Sequence, residues 1–341
     1  MTRGNVARGR CGTTAVPDKI RYSILFFSWL NLNHSVGDNA CMVGKYVTTE
    51  SELSRKMGMD IPLLRVFNLD TFGIDSQAFL NDLRPTFSVL HLDPYDAKRS
   101  KVELLKKRFP EEMERLDVFL SDYYANRKDL AAVYDLIRQL QDSDRNELDR
   151  IGMTGRRKRS VARFNLRRAG TRWDIERISA EQYRQKVESS DPRALVRVFH
   201  EMEPLVASHP DVGRLMTCLA EIVGELHPEC RTLRMNVHQM FIFADILSAG
   251  DNAPEGVHQD GVDYIVSALV IERAGIVGGE SIVYGLDRKT ECLRRTLAEG
   301  EGILQSDRKL WHYVTPIREN PAVPPDYGHR SILGFDIELT D

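Results

Sequence analysis

The sequence has little that would assign it to a membrane, to a nucleic acid or to a disulfide-stabilised class. Its 341 residues contain no run of about 18 apolar residues, so we expect no transmembrane helix and no membrane partner. The formal net charge is -3, which gives no reason to expect a nucleic-acid partner. Only five cysteines occur, scattered and without CxxC spacing, which favours reduced thiols in a cytoplasmic protein over disulfides or a zinc site.

Motifs of several large enzyme classes are also missing. We find no GxGxxG after a strand, no GxxxxGK[ST] and no GxSxG, which argues against dinucleotide, P-loop and α/β-hydrolase sites. What is present is ordinary for a globular protein: 42% hydrophobic and 28% charged residues, in a chain long enough to bury a sizeable core.

Hydrophobic periodicity divides the chain into three regions. Residues 1–18 carry several arginines and almost no large apolar side chain, and we interpret them as a mobile tail. Residues 19–158 are mainly helical in pattern, with apolar side chains at three- and four-residue steps from Glu111 to Gln141. Residues 159–341 shift towards a period of two, with short strands between turns, as in an all-β sandwich or barrel. The polar stretch Asp142 to Lys158 is predicted to be a turn-rich hinge between the last two regions.

A histidine and an aspartate two positions apart stand out in the segment Pro254 to Gly261, which has the sequence PEGVHQDG. We predict a strand within Gly256 to Ile271, and positions i and i+2 of a strand face the same side. His258 and Asp260 are therefore expected to share one metal ion, with the intervening Gln259 turned away.

A third ligand is available in His312, which lies in the strand-like stretch Leu310 to Ile317. Two histidines and one carboxylate, with open positions opposite them, are the ligand set of non-haem Fe(II) oxygenases. Taken alone, His312 between two aromatic residues is also consistent with a buried structural histidine.

Arg330 follows on the last predicted strand. An oxoacid that chelates iron through its keto-acid end has a second carboxylate, and a guanidinium pairs with a carboxylate in a bidentate way. An ordinary edge-strand arginine is the alternative for Arg330, but the order of His258, Asp260, His312 and Arg330 favours a metal site. Two other classes stay open: a non-catalytic jelly-roll binding protein and a cupin-like enzyme that uses zinc or manganese.

These residues resemble a known family. The segments that carry the resemblance are His258-Gln259-Asp260-Gly261, Val262-Asp263-Tyr264, Gly279-Glu280-Ser281, Trp311 to Ile317 and Gly328-His329-Arg330-Ser331. They are similar to those of the bacterial Fe(II)/2-oxoglutarate-dependent dioxygenases of the L-isoleucine dioxygenase type, which act on free aliphatic amino acids. The resemblance covers about Arg231 to Leu339, and no motif is recognised before residue 160.

The resemblance implies an α+β fold, in which a double-stranded β-helix (a jelly-roll or cupin-like core) has the helical N-terminal region packed against it. It implies Fe(II), 2-oxoglutarate and O2 as cofactor and co-substrates. The catalytic iron ligands that it implies are His258, Asp260 and His312. It implies Arg330 and Ser331 as the residues that bind 2-oxoglutarate. In related enzymes a Ser or Thr often stands two residues after this arginine, whereas here Ile332 occupies that place and the serine is adjacent.

The activity implied is oxidation of an unactivated C–H bond of a free aliphatic L-amino acid or a derivative. Hydroxylation is one outcome; ring closure, such as cyclopropanation of a nitro-norleucine in natural product biosynthesis, is another. Partners for the substrate carboxylate and ammonium are then needed. The candidates are Arg163, Arg167, Arg234, His238 and Asp263. We interpret the turn Asp251 to Gly256 as a movable rim over the substrate, and leave open whether the helical region covers the pocket or forms a homodimer contact.

Overall fold

The computed structural model describes residues 62–151, 155–180, 182–186, 192–322 and 328–340. The predicted tail, residues 1–18, and the predicted start of the helical region, residues 19–61, lie outside the described residues. The described residues belong to one compact unit.

Antiparallel strands form most of the framework. The strands are β1 (Leu64–Asn68), β2 (Arg157–Ala169), β3 (Arg172–Ile178), β4 (His200–Glu201), β5 (Thr232–Ala244), β6 (Tyr264–Ala274), β7 (Ile276–Gly278), β8 (Ser281–Tyr284), β9 (Glu291–Arg295), β10 (Glu301–Ser306), β11 (Trp311–Val314), β12 (Ile317–Glu319) and β13 (Gly328–Leu339). The larger sheet has eight strands in the order β1-β10-β6-β13-β5-β2-β3, with β4 paired to β2. A three-stranded sheet has the order β11-β8-β9, and β12 pairs with β7.

Helices lie between β1 and β2 and between β4 and β5. The α-helices are Ser76–Leu83, Pro85–Ser88, Tyr95–Arg108, Met113–Tyr124, Tyr134–Ile137, Asp142–Ile151, Pro204–Ala207 and Pro210–Leu226. Short 3-10 helices span Leu69–Phe72, Pro110–Glu112, Leu130–Val133, Pro192–Ala194 and Asp307–Lys309. No helix within the described part of the chain is long and apolar enough to cross a membrane. The mixture of helices and antiparallel sheets confirms the α+β class expected from the sequence.

Three apolar clusters hold these elements together. One face of the larger sheet packs against the helix Pro210–Leu226, whose Leu215 and Leu219 are fully buried. The sequence predicts a helix from Pro210 to Leu226, and the helix begins there because His209 caps it and Pro210 occupies its first turn. A second cluster joins the helices from residue 95 to residue 151. The third cluster contains side chains from both sheets, including Ile332 of β13 and Val283 of β8, so these two sheets face each other there.

Strand β1 brings the region before residue 159 into the larger sheet. The sequence predicts a strand at Leu63 to Leu69, and β1 pairs with β10 along its whole length. Gly302 of β10 lies opposite Phe67, and a Cβ atom at Gly302 would lie 2.4 Å from the Phe67 ring. A glycine is therefore required for this ring to pack on the sheet.

Three sequence predictions of secondary structure are wrong in their extent. The stripe from Glu111 to Gln141 is broken after Tyr124, because Asn126 adopts a left-handed φ of 56° and the Asp129 side chain caps a new turn at Ala131. Residues Asp142 to Ile151 form a helix rather than a hinge, with Leu148 buried. The strand predicted within Gly256 to Ile271 begins only at Tyr264, because Gly256 and Gly261 have φ values of 78° and 81° that interrupt an extended chain.

Candidate metal centre

His258, Asp260 and His312 converge on one point. One ligand atom from each lies within 4.8 Å of the other two. The closest approaches are 3.7 Å from His258 Nε2 to Asp260 Oδ1 and 3.5 Å from His312 Nε2 to Asp260 Oδ2. These atoms bring two imidazole nitrogens and a carboxylate together, as a first-row divalent cation requires.

The two histidines are held by the backbone rather than by a shared strand. His258 and His312 form an isolated antiparallel bridge, with N–H to carbonyl distances of 3.0 and 2.9 Å in the two directions. The His258 Nδ1 atom lies 2.8 Å from the Gly256 carbonyl oxygen. A carbonyl only accepts a hydrogen bond, so Nδ1 carries the proton and Nε2 is left to bind a metal.

The environment of His312 favours its neutral, metal-binding form. Burial, with a further contribution from His258, lowers the pKa of His312 to about 3. His312 Nδ1 has no hydrogen-bond partner among the described residues. The Asp307 Oδ1 atom is 3.9 Å away from it.

A buried carboxylate, that of Asp307, fixes the loop that presents Asp260. Asp307 is 0% exposed, and its two oxygens accept hydrogen bonds from the backbone N–H groups of Asp260 (3.0 Å), Gly261 (2.7 Å) and Val262 (3.2 Å). Gln259, expected to turn away from the metal, donates to the carbonyl oxygens of Asp307 (2.6 Å) and Leu310 (3.2 Å). The loop is therefore fixed by the Asp307 side chain and by backbone carbonyl groups of the segment that follows β10.

The Asp260 carboxylate is also oriented by side chains. Gln185 donates to Asp260 Oδ1 at 2.5 Å, and Arg197 donates to Gln185 Oε1 at 2.6 Å. Arg193 also lies near this carboxylate. Its Nη1 atom is 3.8 Å from Asp260 Oδ1 and 3.7 Å from Glu255 Oε1. The Glu255 carboxylate is 3.2 Å from His258 Nε2, so a second acid flanks the metal position.

Arg330 lies on the side of β13 that faces the smaller sheet and is 0% exposed. Nε, Nη1 and Nη2 all lack a hydrogen-bond acceptor among the described residues. Arg273 pairs with Arg330 across β6 and β13, and burial together with Arg273 lowers the pKa of Arg330 to about 9. A buried cation beside a second cation is unfavourable unless an anion approaches it, so Arg330 is suited to bind a carboxylate.

Ser331, the other predicted 2-oxoglutarate residue, lies next to Arg330 on β13. Consecutive side chains of a strand point to opposite faces. Ser331 pairs with Phe241, which belongs to the apolar cluster on the helix-covered face of the larger sheet. Its hydroxyl is buried and has no partner within the described residues.

The predicted pocket residue His238 belongs to a buried polar network. His238 Nε2 lies 2.9 Å from Asp336 Oδ2, which also accepts a hydrogen bond from the Tyr183 hydroxyl at 2.7 Å. Arg159 Nη2 is 2.9 Å from His238 Nδ1. Burial lowers the pKa of His238, although the negative charges of Asp336 and Asp260 act to raise it. The network therefore lies within electrostatic reach of the metal ligands.

The other four predicted substrate residues are dispersed. Arg163 donates to Asn236 Oδ1 at 2.8 Å, and Arg167 is exposed. The Nε atom of Arg234 is buried without an acceptor among the described residues. Asp263 is engaged in structure, because it accepts from Arg308 Nε at 2.6 Å and from Leu339 N at 2.8 Å.

Several residues of the centre were missed from the sequence. Asp307 offered a signal, since an acid directly after a strand and five residues before His312 is well placed to support a ligand. Gln185 and Arg193 offered none, because they are remote from the ligands in sequence. Glu255 lies only three residues before His258, and that spacing was its signal.

Comparisons with known proteins identify the family of the chain. A sequence model of the 2OG-Fe dioxygenase family matches residues 141–336, which include the three ligands and Arg330. A search of curated protein sequences found no match.

Solved structures give more distant similarities. The chain is similar to a bsmA homolog from Methylobium petroleophilum PM1, with a TM-score of 0.58 and 18% identity over 86% of this chain and 92% of that one. For IDO from Bacillus thuringiensis the TM-score is 0.46 and the identity 16%, over 61% and 92% of the two chains. For the Fe(II)/(alpha)ketoglutarate-dependent dioxygenase TqaL they are 0.41 and 13%, over 71% and 89%. The first likeness shows the fold alone, and the other two are too distant to add to it.

The family match decides between the classes left open by the sequence. It identifies an enzyme that uses Fe(II), 2-oxoglutarate and O2, rather than a non-catalytic binding protein or a zinc or manganese enzyme. The match covers more than half of the 341 residues, and the chain therefore belongs to the 2OG-Fe dioxygenase family.

Proposed function

We propose that this dioxygenase oxidises an unactivated C–H bond of a free aliphatic L-amino acid or a close derivative. The observation that carries the proposal is the presence of both positive and negative side chains around the metal ligands. Arginine and carboxylate side chains alternate there, in Arg193–Glu255 and in Arg159–His238–Asp336. A zwitterion needs groups of both signs within a few ångströms of each other.

Residues of the chain would divide the work as follows. When bound, Fe(II) and 2-oxoglutarate supply the oxidation of the C–H bond with O2. His258, Asp260 and His312 would hold the metal, and Arg330 would bind the distal carboxylate of the oxoacid. Asp307 and Gln185 would keep Asp260 oriented, which fixes the position of the substrate carbon relative to the metal.

The substrate ammonium and carboxylate would be bound by neighbouring groups of opposite charge beside the metal ligands. Glu255, on the rim turn Asp251 to Gly256, lies 3.2 Å from His258 Nε2 and suits an ammonium group. Arg159 and His238 suit a carboxylate. Of the residues predicted from the sequence, the proposal keeps His238 as a substrate contact and gives Arg163 and Arg234 a place further along the same sheet face.

The fold supports this arrangement. We propose that the two facing sheets form a double-stranded β-helix within residues 159–341, to which β1 adds an edge strand. The mainly helical part of residues 19–158 would close the end of the pocket near Arg157, which pairs with Asp93 at 3.0 Å.

A screen of free L-amino acids and nitro-amino acids tests the proposal. The expected result is O2-dependent succinate formation that is coupled to one substrate. Mass spectrometry distinguishes a gain of one oxygen, which means hydroxylation, from a loss of two hydrogens, which means ring closure or desaturation. Succinate formation coupled only to substrates that are not amino acids would refute the proposal.

Analogues of the best substrate provide the control. Recognition of a zwitterion requires that the matching amine, without the carboxylate, and the matching acid, without the ammonium, both lose coupling. An analogue that keeps full activity after losing one of these groups would show that this group is not recognised.

A further inference from the structure

The buried serine Ser281 contributes a second polar group to the interior that holds Arg330. Arg330 and Arg273 lie side by side across β13 and β6. Gly279 lies against both, since a Cβ atom there would be 3.0 Å from Arg273 Nη1 and 3.3 Å from Arg330 Cδ. Ser281 begins β8 two residues later. The start of β8 is therefore adjacent to the Arg330 side chain.

The side chain of Ser281 faces this interior. The neighbouring Glu280 points to the surface, where its carboxylate pairs with the exposed Arg294 at 2.6 Å. Strand alternation then directs Ser281 and Val283 to the opposite side. Val283 pairs with His312 and packs between the two sheets. Ser281 is therefore on the same face as a metal ligand and about 7 Å along the strand from it.

The Ser281 hydroxyl needs a partner that the described residues do not supply. The residue is 2% exposed, and its Oγ has no hydrogen bond within the described part of the chain. A buried hydroxyl without a partner is unfavourable, and such groups in native structures usually meet a ligand or an ordered water. The same interior contains the three guanidinium nitrogens of Arg330, which also have no hydrogen-bond partner among the described residues.

We propose that the Ser281 hydroxyl donates a hydrogen bond to the distal carboxylate of 2-oxoglutarate, whose other partner is Arg330. The hydroxyl thus comes from the smaller sheet rather than from the strand that carries the arginine. Ser331 cannot reach the same carboxylate, because it points to the helix-covered face of β13. This proposal concerns the co-substrate and does not depend on which compound is oxidised.

Two alanine variants test it, and each removes one buried serine hydroxyl that has no described partner. Isothermal titration of the anaerobic Fe(II) protein with 2-oxoglutarate measures the Kd. For Ser281→Ala we expect a Kd raised about tenfold or more, as for loss of a hydrogen bond to a charged group. For Ser331→Ala we expect no change. The variant Ser281→Thr, which keeps the hydroxyl, should restore most of the affinity.

Pyruvate separates a direct contact from a structural effect, since it keeps the keto-acid end and lacks the distal carboxylate. In displacement titrations Ser281→Ala should bind pyruvate as tightly as the wild type does. Equal losses for pyruvate and 2-oxoglutarate would overturn the proposal, because they would mean that the metal centre has shifted. An unchanged 2-oxoglutarate Kd in Ser281→Ala, with or without a loss in Ser331→Ala, would overturn it as well.

Discussion

Replacing Arg330 by methionine should stabilise the ligand-free protein while it abolishes binding of 2-oxoglutarate. Arg330 is fully buried beside Arg273 without an acceptor among the described residues, and its pKa falls to about 9. That fall makes the charged form unfavourable by about 5 kcal/mol, at about 1.4 kcal/mol for each pKa unit. The guanidinium is charged at every pH below this pKa, so the cost is present throughout the neutral range.

The gain in the free energy of unfolding should be smaller than this cost, because the methionine side chain must still fit the space left by Arg330. Replacing buried ionic groups with apolar residues of similar volume typically stabilises a protein by about 1–4 kcal/mol. Each kcal/mol of added stability raises the melting temperature by about 2–4 °C. The melting temperature of the Arg330→Met protein, stripped of metal and 2-oxoglutarate, should therefore rise by several degrees. The wild type should gain about 2.7 kcal/mol from 2-oxoglutarate at 100 times its Kd, and the variant should gain almost nothing.

Arg273→Met is the matched control. Arg273 is only partly buried and donates to the carbonyl oxygens of Gly278 (2.7 Å) and Gly279 (3.4 Å), so its loss should destabilise the stripped protein. Differential scanning calorimetry, with and without 2-oxoglutarate, measures both effects. The reasoning is refuted if Arg330→Met melts below the wild type, or if it keeps the wild-type shift with 2-oxoglutarate.

Three further predictions concern the centre and its support. His312→Ala should abolish turnover and weaken metal binding in a chelator competition, with an unchanged circular dichroism spectrum; near-normal activity would contradict the ligand assignment. Asp307→Ala leaves three backbone N–H groups without their acceptor, so it should lose at least about 3 kcal/mol in urea unfolding and about 10–100-fold in metal affinity, whereas Asp307→Asn should lose less. Burial alone would raise the pKa of Asp93, but Arg157 and Arg159 hold that pKa below its ordinary value. The ionised Asp93 therefore stabilises the fold above about pH 4, and this stabilisation is lost as the pH falls through the folded-state pKa. Asp93→Asn should therefore cost about 3–5 kcal/mol at pH 7 and less in acid, and equal costs at both pH values would count against this ion pair.

The ligands could be predicted from the sequence because residue type limits the choice strongly. Imidazole and carboxylate groups are the ligands that Fe(II) prefers, and the three residues chosen on that ground, His258, Asp260 and His312, lie close together in the structure. However, the prediction that His258 and Asp260 lie on one strand was wrong. His258 and Asp260 do not share a strand; an isolated bridge to His312 and the Asp307 carboxylate hold them in a loop.

The supporting groups could not be predicted, since their partners are remote in the chain. Gln185 meets Asp260 from an irregular segment, and no periodicity marks such a residue. A serine beside Arg330 in sequence suggested a shared ligand, yet adjacency on a strand separates two side chains onto opposite faces. Residues two apart on a strand, or opposite on a neighbouring strand, share a face, and a sequence alone does not reveal which strands are neighbours.

Charge balance around the centre limits the substrate further. With Fe(II) bound, the charges of the metal, Asp260, a 2-oxoglutarate dianion and Arg330 sum to zero. The surrounding network also balances in sign: it contains the cations Arg157, Arg159, Arg193, Arg197 and Arg273 and the anions Asp93, Asp96, Glu255, Glu299 and Asp336. Asp307 adds less than a full negative charge, because burial and then Asp260 raise its pKa to about 7. A substrate with net charge would bring an uncompensated charge into this site at a cost of several kcal/mol, whereas a zwitterion with an apolar side chain would not. We therefore expect L-norleucine-like compounds to be accepted in preference to L-glutamate and L-lysine, and coupling to either charged amino acid at a similar kcat/KM would contradict the balance.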